Sequence, residues 1–168
     1  MDNLIAFNKN RWEELVREGV LYSRPWLDLT LDRARARVDP LGLLGDLAGR
    51  RVLCLAGGGG QQSAAVALLG AHVTVLDLTD GQLARDRQAA AHYNLSVETA
   101  QGDMRDLSRF PAAAFDAVYQ PYSINFVPDP ETVFRQVARV LRPGSPYRVG
   151  FHNPFTFEAS ETDWDGRG

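Results

Sequence analysis

A run of four glycines, residues 57–60, is the first feature of the sequence that could take part in binding a ligand. It follows the apolar stretch 52–56 and precedes a segment of helical composition. Glycines permit positive φ and let the backbone approach a bound ligand closely. The first N–H groups of the following helix would face an electronegative group. A tight turn selected for packing is the alternative, and four glycines between a strand and a helix favour a ligand.

Acidic side chains follow the next two apolar stretches. Asp77 lies about 20 residues beyond the glycines, where an acid of a doubly wound fold accepts hydrogen bonds from both hydroxyls of a ribose. Asp77 could instead cap the next helix, although Thr79 or Asp80 can do that alone. Asp103 could accept a hydrogen bond from an adenine amino group, and the adjacent Met104 offers apolar surface to the ring. For Asp103, capping of its own loop is the alternative.

These features alone leave more than one nucleotide-type ligand open. Gly58, Gly60 and Ser63 approximate the dinucleotide fingerprint, with serine in the last glycine place, so an NAD(P)-dependent oxidoreductase is one interpretation. Cys54 is the only cysteine, which excludes an intramolecular disulfide. Three dispersed histidines predict no metal site. They are His72, His92 and His152.

The elements that must position these residues alternate between strand and helix from residue 52 onward. We predict strands at 52–56, 72–76, 96–100, 116–119 and 147–151. Helices are predicted at 62–69, 81–93 and 131–141, with an irregular connection between the third and fourth strands. This alternation predicts an α/β, Rossmann-like, doubly wound and mostly parallel sheet with helices on both faces.

Two further helices are predicted before the first strand. Residues 3–19 carry apolar side chains at amphipathic spacing. A second helix is expected to begin at the cap Ser23, with Pro25 in its first turn, and to run to Val38. We therefore expect residues 1–49 to form an N-terminal helical cap and residues 50–168 the cofactor-binding core, together one compact domain. The stretch after residue 151 is polar and acidic.

Composition excludes some classes of partner. Apolar residues make up 45% of the chain and the formal net charge is −3, which is typical of a globular protein without a basic footprint for nucleic acid. No apolar run approaches the ~20 residues that span a bilayer, and the first residues do not resemble a signal peptide. We expect a cytoplasmic protein that acts on a small molecule and binds neither nucleic acid nor membrane.

Taken together, the motifs resemble class I S-adenosylmethionine-dependent methyltransferases, especially the small-molecule group called type 11, over residues 50–151. VLCLAGGGGQ is similar to the first motif of that family, TVLDL to its second-strand acid and GDMRDL to its adenine-contacting turn. LRPG resembles the turn before its fifth strand, which dinucleotide dehydrogenases lack. The resemblance implies S-adenosylmethionine as cofactor, S-adenosylhomocysteine as product and an in-line methyl transfer to a small-molecule acceptor.

The resemblance also implies which residues bind. No catalytic residue is predicted, because the sulfonium brings its own reactive group. The implied cofactor-binding residues are Ala56, Gly57, Gly58, Gly60, Gln61, Asp77, Leu78, Gly102, Asp103, Met104, Gln120 and Tyr122. The candidates for acceptor binding are Trp12, Tyr22, Trp26, Asn125 and His152.

The sequence departs from the family pattern in three places. Cys54 stands where the family usually has an acid in its first strand, and Ala56 stands where it has the first glycine. Strands six and seven of the family are absent, so we expect a chain truncated after the fifth strand. An exposed sheet edge would then invite a homodimer. A non-catalytic cofactor-binding fragment or interaction domain with this fold is the alternative function.

Overall fold

The computed structural model describes residues 3–152, and its centre is a five-stranded sheet. The strands are β1 (Arg51–Leu55), β2 (His72–Asp77), β3 (Val97–Gln101), β4 (Ala117–Gln120) and β5 (Tyr147–Val149). Their order across the sheet is β3-β2-β1-β4-β5, and all four pairings are parallel. The order reverses between β1 and β4, which makes their carboxyl ends the switch point of a doubly wound sheet.

Within residues 3–152, five α-helices accompany the sheet. They are α1 (Asn3–Glu18), α2 (Leu31–Val38), α3 (Gln62–Leu68), α4 (Asp80–His92) and α5 (Pro130–Val140). Helices α3, α4 and α5 form the crossovers from β1 to β2, from β2 to β3 and from β4 to β5. The connection from β3 to β4 contains no regular helix, as the sequence predicts.

The residues of β1 alternate between two apolar cores. Val52 and Cys54 pack with α2, α3 and α4 on one face of the sheet. Leu53 and Leu55 pack with α5 and the β3–β4 connection on the other face. All four side chains are buried, as expected for a parallel strand covered on both sides. The α/β, Rossmann-like prediction with helices on both faces is confirmed.

The predicted start of the second helix is wrong. Its first residue is Leu31, and Thr30 is the cap, with its hydroxyl accepting a hydrogen bond from the Arg33 N–H at 3.3 Å. Ser23 does not cap a helix, because its hydroxyl donates to the carbonyls of Leu15 and Val20. Residues 24–30 instead run without regular structure along the glycine turn, and the Trp26 N–H donates to the Gly60 carbonyl at 3.1 Å.

The fifth strand is shorter than predicted. It ends at Val149, where the prediction extended to residue 151, and it lies at one edge of the described sheet. The acidic stretch from residue 153 lies outside the described residues. Within residues 3–152, no helix has the length and apolar character that a membrane span requires.

Candidate functional site

A cleft of about 550 Å³ opens at the carboxyl ends of the central strands. Its floor consists of the turn after β1, the last residue of β2 and the segments that follow β3 and β4. Helix α1 forms its roof. Open parallel sheets bind their ligands at this place, outside the carboxyl ends of the strands at the switch point.

The glycine turn, residues 57–60, needs its glycines for close packing. A Cβ on Gly58 would lie 2.5 Å from the Gln82 Cβ and 2.8 Å from the Asp77 carboxylate. A Cβ on Gly60, whose φ is +71°, would lie 2.3 Å from the Arg85 carbonyl oxygen. Packing against β2 and α4 therefore explains these two glycines, while Gly57 and Gly58 also line the cleft. The packing alternative is therefore realised at this turn, and the ligand interpretation stays a prediction.

Ala56 joins β1 to the glycine turn in a left-handed conformation. Its φ is +46°, a region that disfavours residues with a Cβ by about 1–2 kcal/mol. The conformation directs the chain away from the sheet, and the Ala56 N–H still donates to the Leu76 carbonyl at 2.7 Å. Tyr122, after β4, has a φ of +44° and also lines the cleft. Strained backbone thus flanks the cleft on two adjacent strands, as is common at functional sites.

Asp77 is buried at the floor of the cleft. One carboxylate oxygen accepts the Gly58 N–H at 3.2 Å, and the other accepts both the N–H and the hydroxyl of Thr79, at 3.0 and 3.1 Å. Thr79 is the cap of α4, so Asp77 does not have to cap that helix. Burial raises the pKa of Asp77, and the hydrogen bonds from Thr79, Gly58 and Leu78 oppose that rise. Three hydrogen bonds, one from Gly58 and two from Thr79, reach Asp77 at ordinary distances. Because a carboxylate has about four acceptor positions, about one position is left toward the cleft.

Asp103 and Met104 lie side by side on the cleft wall after β3. Arg105 donates to both carboxylate oxygens of Asp103, with Nη2 at 2.9 Å from Oδ2, and their side chains are about one quarter exposed. The Arg105 N–H also donates to Asp103 Oδ1 at 2.9 Å. The loop-capping alternative is therefore realised for Asp103, and the same carboxylate still borders the cleft.

Gln120 is a support for the cleft wall. Its side chain is fully buried, and its amide nitrogen lies 3.3 Å from the Met104 sulfur and 3.1 Å from the Ser123 hydroxyl. Its amide oxygen accepts the Tyr147 hydroxyl hydrogen. Since Gln120 does not line the cleft, its contact with Met104 links it to the site indirectly.

Helix α1 covers the cleft from above. Leu4, Ile5, Asn8 and Trp12 project from one side of it and line the roof. The Asn8 side-chain amide donates to the Phe126 carbonyl at 2.9 Å. The Trp12 ring meets the Phe126 ring edge to face, with centroids 5.6 Å apart. These two contacts join the roof to the wall that follows β4.

The C-terminal part of α1 packs on the start of α4. Glu13 accepts the Gly81 N–H at 3.4 Å. A Cβ on Gly81 would lie 2.6 Å from the Glu13 carboxylate and 3.2 Å from Val16. Gly81 thus allows the close approach that holds α1 over the cleft.

The structure brings most of the predicted site residues to the cleft. Those that line it are Ala56, Gly57, Gly58, Gln61, Asp77, Leu78, Gly102, Asp103, Met104, Tyr122, Trp12, Tyr22 and His152. The ring centroids of Tyr122 and His152, which both line the cleft, lie 5.1 Å apart.

Four predicted residues do not line the cleft. Gly60 is buried against α4 and Pro25, and Gln120 lies behind Met104. The Trp26 ring packs on the core and stacks under the Arg37 guanidinium, 4.4 Å from the ring centroid. Asn125 is exposed and its amide donates back to the Tyr122 carbonyl. None of these four residues borders the cleft in the described chain.

Sequence reasoning missed several residues of the cleft. They are Leu4, Ile5, Asn8, Gln62, Gln82, Arg105, Pro121, Ser123, Val127 and Pro128. The amphipathic pattern of residues 3–18 gave a signal for the α1 side chains, although it does not tell which surface the apolar face covers. Among residues 3–152, His, Cys, Asp and Glu side chains form no group of three that could hold a metal ion.

Comparison with known proteins finds one matching family. Residues 53–148 match the family described as "Methyltransferase domain". The match begins within β1 and ends within β5, so it covers all the strand ends that form the floor of the cleft.

Individual relatives agree with that match. The chain is 34% identical over 167 residues to the uncharacterized methyltransferase YbaJ of Bacillus subtilis, covering 94% of this chain and 66% of that protein. It is 36% identical over 108 residues to a ubiquinone biosynthesis O-methyltransferase of Xanthomonas oryzae, covering 64% of this chain and 45% of that enzyme. The chain thus spans between about one half and two thirds of the length of these relatives.

Solved structures show the same likeness. The crystal structure of an S-adenosylmethionine-dependent methyltransferase from Mesorhizobium loti superposes with a TM-score of 0.62 at 28% identity. The superposition covers 77% of this chain and 57% of that one.

Proposed function

Because this chain belongs to the methyltransferase domain family, we propose that its cleft binds S-adenosylmethionine and that the protein methylates a small-molecule acceptor, releasing S-adenosylhomocysteine. One observation carries the proposal. A buried carboxylate, Asp77, closes β2 beside a glycine turn, and a second carboxylate, Asp103, follows the neighbouring β3 on the same cleft.

The residues present fit the cofactor. Asp77 provides carboxylate oxygens at the floor, where ribose hydroxyls could donate to them. Leu78, Met104 and Ile5 supply apolar surface for a flat ring, and Asp103 lies next to it as an acceptor for an amino group. Gly57 keeps the gap between the turn and β4 open, since a Cβ there would lie 3.3 Å from the Pro121 ring.

S-adenosylmethionine supplies the methyl group on a sulfonium that needs no further activation. The work of the chain is then to hold the cofactor, to orient the acceptor and to exclude water. Helix α1 serves the last two tasks, because Ile5 and Trp12 cover the cleft while Asn8 ties the helix to the Phe126 carbonyl on the far wall.

The lining supports an acceptor with mainly apolar surface. The roof and the far wall contribute aliphatic and aromatic side chains, among them Leu4, Trp12, Phe126 and Val127. Arg105 is the only basic side chain of Lys or Arg type that lines the cleft in the described chain, and it is paired with Asp103. A small apolar acceptor matches this wall better than a polyanion does.

The test is calorimetric titration of the purified chain with S-adenosylmethionine and S-adenosylhomocysteine. Asp77→Asn and Asp77→Ala are the variants. Asp80→Ala is the matched control, because Asp80 lies on the same segment but is exposed and pairs with Arg87. We expect the parent and Asp80→Ala to bind alike. Each charge-assisted hydrogen bond lost at Asp77 is worth about 1.5–3 kcal/mol, so Asp77→Ala should weaken binding at least about tenfold.

Two results would count against the proposal. Binding of NADH without binding of S-adenosylhomocysteine would favour an oxidoreductase. Cofactor binding that leaves a broad panel of apolar acceptors unmethylated would favour a non-catalytic domain.

A further inference from the structure

Asp86 is a fully buried acid that the cleft itself does not use. It lies in the middle of α4, and its side chain has no exposed surface. Burial of an ionisable carboxyl is unfavourable unless its oxygens find donors. Asp86 does not line the cleft. It contacts the glycine turn from beneath, and its hydrogen-bond donors belong to that turn and to the helix after it.

Asp86 accepts hydrogen bonds from the end of the turn and from the start of α3. Its Oδ1 accepts the Gly60 N–H at 3.1 Å and the Ser63 hydroxyl at 2.5 Å. Ser63 lies in the first turn of α3, so one oxygen joins the last glycine to the helix that follows. At the other end of the turn, Asp77 accepts the Gly58 N–H. Two acids from consecutive elements therefore hold alternate N–H groups of one turn.

The second oxygen of Asp86 lacks a partner in the structure. Asp86 Oδ2 and Gln82 Oε1 are the buried side-chain atoms within residues 3–152 that have no hydrogen bond. The two side chains are four residues apart on α4 and therefore neighbours on its surface. Both atoms are acceptors, so neither can donate to the other while the Asp86 carboxyl is ionised. Burial, assisted by the nearby Asp77 charge, raises the pKa of Asp86 to about 7.

Cys54 on β1 faces the same region. Burial raises the pKa of its thiol, and the charge of Asp86 contributes to that rise. A neutral thiol is a weak hydrogen-bond partner, and β1 therefore provides no strong acceptor for the turn.

We propose that Asp86 is the positioning residue that holds the glycine turn in its cofactor-binding conformation, an anchor supplied from α4 instead of from β1. This inference rests on the proposed function where it predicts that loss of the anchor weakens cofactor binding. The anchor itself is a property of the ligand-free chain. Asp86 does not touch the cofactor, so it acts through Gly60 and Ser63.

Hydrogen exchange of the ligand-free chain tests the anchor directly. A peptide covering residues 55–63 contains the whole turn, and its exchange is followed by mass spectrometry in four variants. Asp86→Ala removes the acceptor, and Asp86→Leu removes it while keeping most of the volume. Asp86→Asn keeps the Oδ1 acceptor and replaces the unpartnered Oδ2 with an N–H donor. Asp80→Ala, on the exposed side of the same helix, is the control.

We expect at least tenfold faster exchange in the 55–63 peptide of Asp86→Ala and Asp86→Leu, without a matching change in peptides from β2. Asp86→Asn and Asp80→Ala should exchange as the parent does. In parallel titrations with S-adenosylhomocysteine, the Ala and Leu variants should bind at least tenfold more weakly, and Asp86→Asn should stay within threefold of the parent. If Asp86→Ala does not fold, Asp86→Leu carries the test.

The hydrogen-exchange and titration experiments distinguish failure of the anchor from failure of the proposed function. Unchanged exchange in Asp86→Leu would overturn the anchor. Exchange that rises equally in all peptides would also overturn it, because Asp86 would then only stabilise the fold. Faster turn exchange with unchanged cofactor affinity would overturn the link to binding. A parent that does not bind S-adenosylhomocysteine would refute the proposed function, while the exchange arm alone would still decide the anchor.

Discussion

Replacement of Asp86 by asparagine should make the protein more stable at high pH. In the folded chain, burial of Asp86 raises its pKa to about 7 from an ordinary value of 3.8. Between these two values the folded state keeps a proton that the unfolded state releases. The free energy of unfolding of the parent must therefore fall as pH rises through this window. The asparagine side chain cannot ionise, so the variant lacks this loss.

The expected size follows from the same two values. The gap between 3.8 and about 7, at about 1.4 kcal/mol for each pH unit, gives an upper limit of about 4 kcal/mol. Relaxation around the charge and water penetration reduce it, so a difference of about 2 kcal/mol is the working expectation. Asp86→Asn should differ least from the parent at the acidic end, near pH 4.5, and exceed it in stability most at pH 8.

Urea unfolding of both proteins at several pH values between 4.5 and 8 measures this difference directly. Other titrating groups are common to both chains and cancel in the comparison. Asp80→Asn is the matched control, since it removes an exposed carboxylate of the same helix. Its stability curve should run parallel to that of the parent. Parallel curves for Asp86→Asn and the parent would refute the reasoning, because Asp86 would then titrate as an ordinary surface carboxyl.

Four further predictions concern other parts of the chain. Ala56→Gly should raise the urea midpoint, with a gain of about 0.5–1 kcal/mol in the free energy of unfolding. The φ of +46° strains alanine, and this strain exceeds the additional chain entropy that glycine loses on folding. An unchanged or lower midpoint would contradict this prediction. Trp12→Ala removes the edge-to-face contact with Phe126, worth about 1 kcal/mol, so amides of α1 should exchange about fivefold faster while those of α5 do not change. The buried thiol of Cys54 has a raised pKa and should react with a thiol reagent only as fast as the chain unfolds; rapid labelling in buffer would show that it is accessible. The outer edge of β5 lies unpaired in the described sheet and should support a homodimer. A monomer mass by light scattering at high concentration would count against this prediction.

The sequence predicted the sheet and the floor of the cleft well, because both depend on local patterns. The apolar stretch, the glycines and Asp77 follow each other along the chain, so strand ends could be assigned from spacing alone. Each predicted strand start or end that shifted did so by one or two residues. At β1 the shift has a physical cause, since the left-handed Ala56 ends the strand one residue early.

What the sequence did not predict depends on tertiary contacts. Ser23 and Pro25 are suited to start a helix, yet that segment is used to pack along the glycine turn, and Thr30 caps the helix instead. Asp86 stands among charged neighbours and suggests a solvated surface. Its position relative to Leu83 and Ala90 places it on the buried stripe of α4, and an acid on such a stripe was the available signal.

The layering of the cleft has a kinetic consequence. The proposed cofactor contacts lie on the floor, at the strand ends, whereas the apolar wall for the acceptor lies between that floor and α1. A ligand on the floor is then covered by whatever occupies the upper layer. Under the proposed function, the cofactor would enter before the acceptor and its product would leave last. Turnover would follow a compulsory order, with S-adenosylhomocysteine competing against S-adenosylmethionine for the empty enzyme.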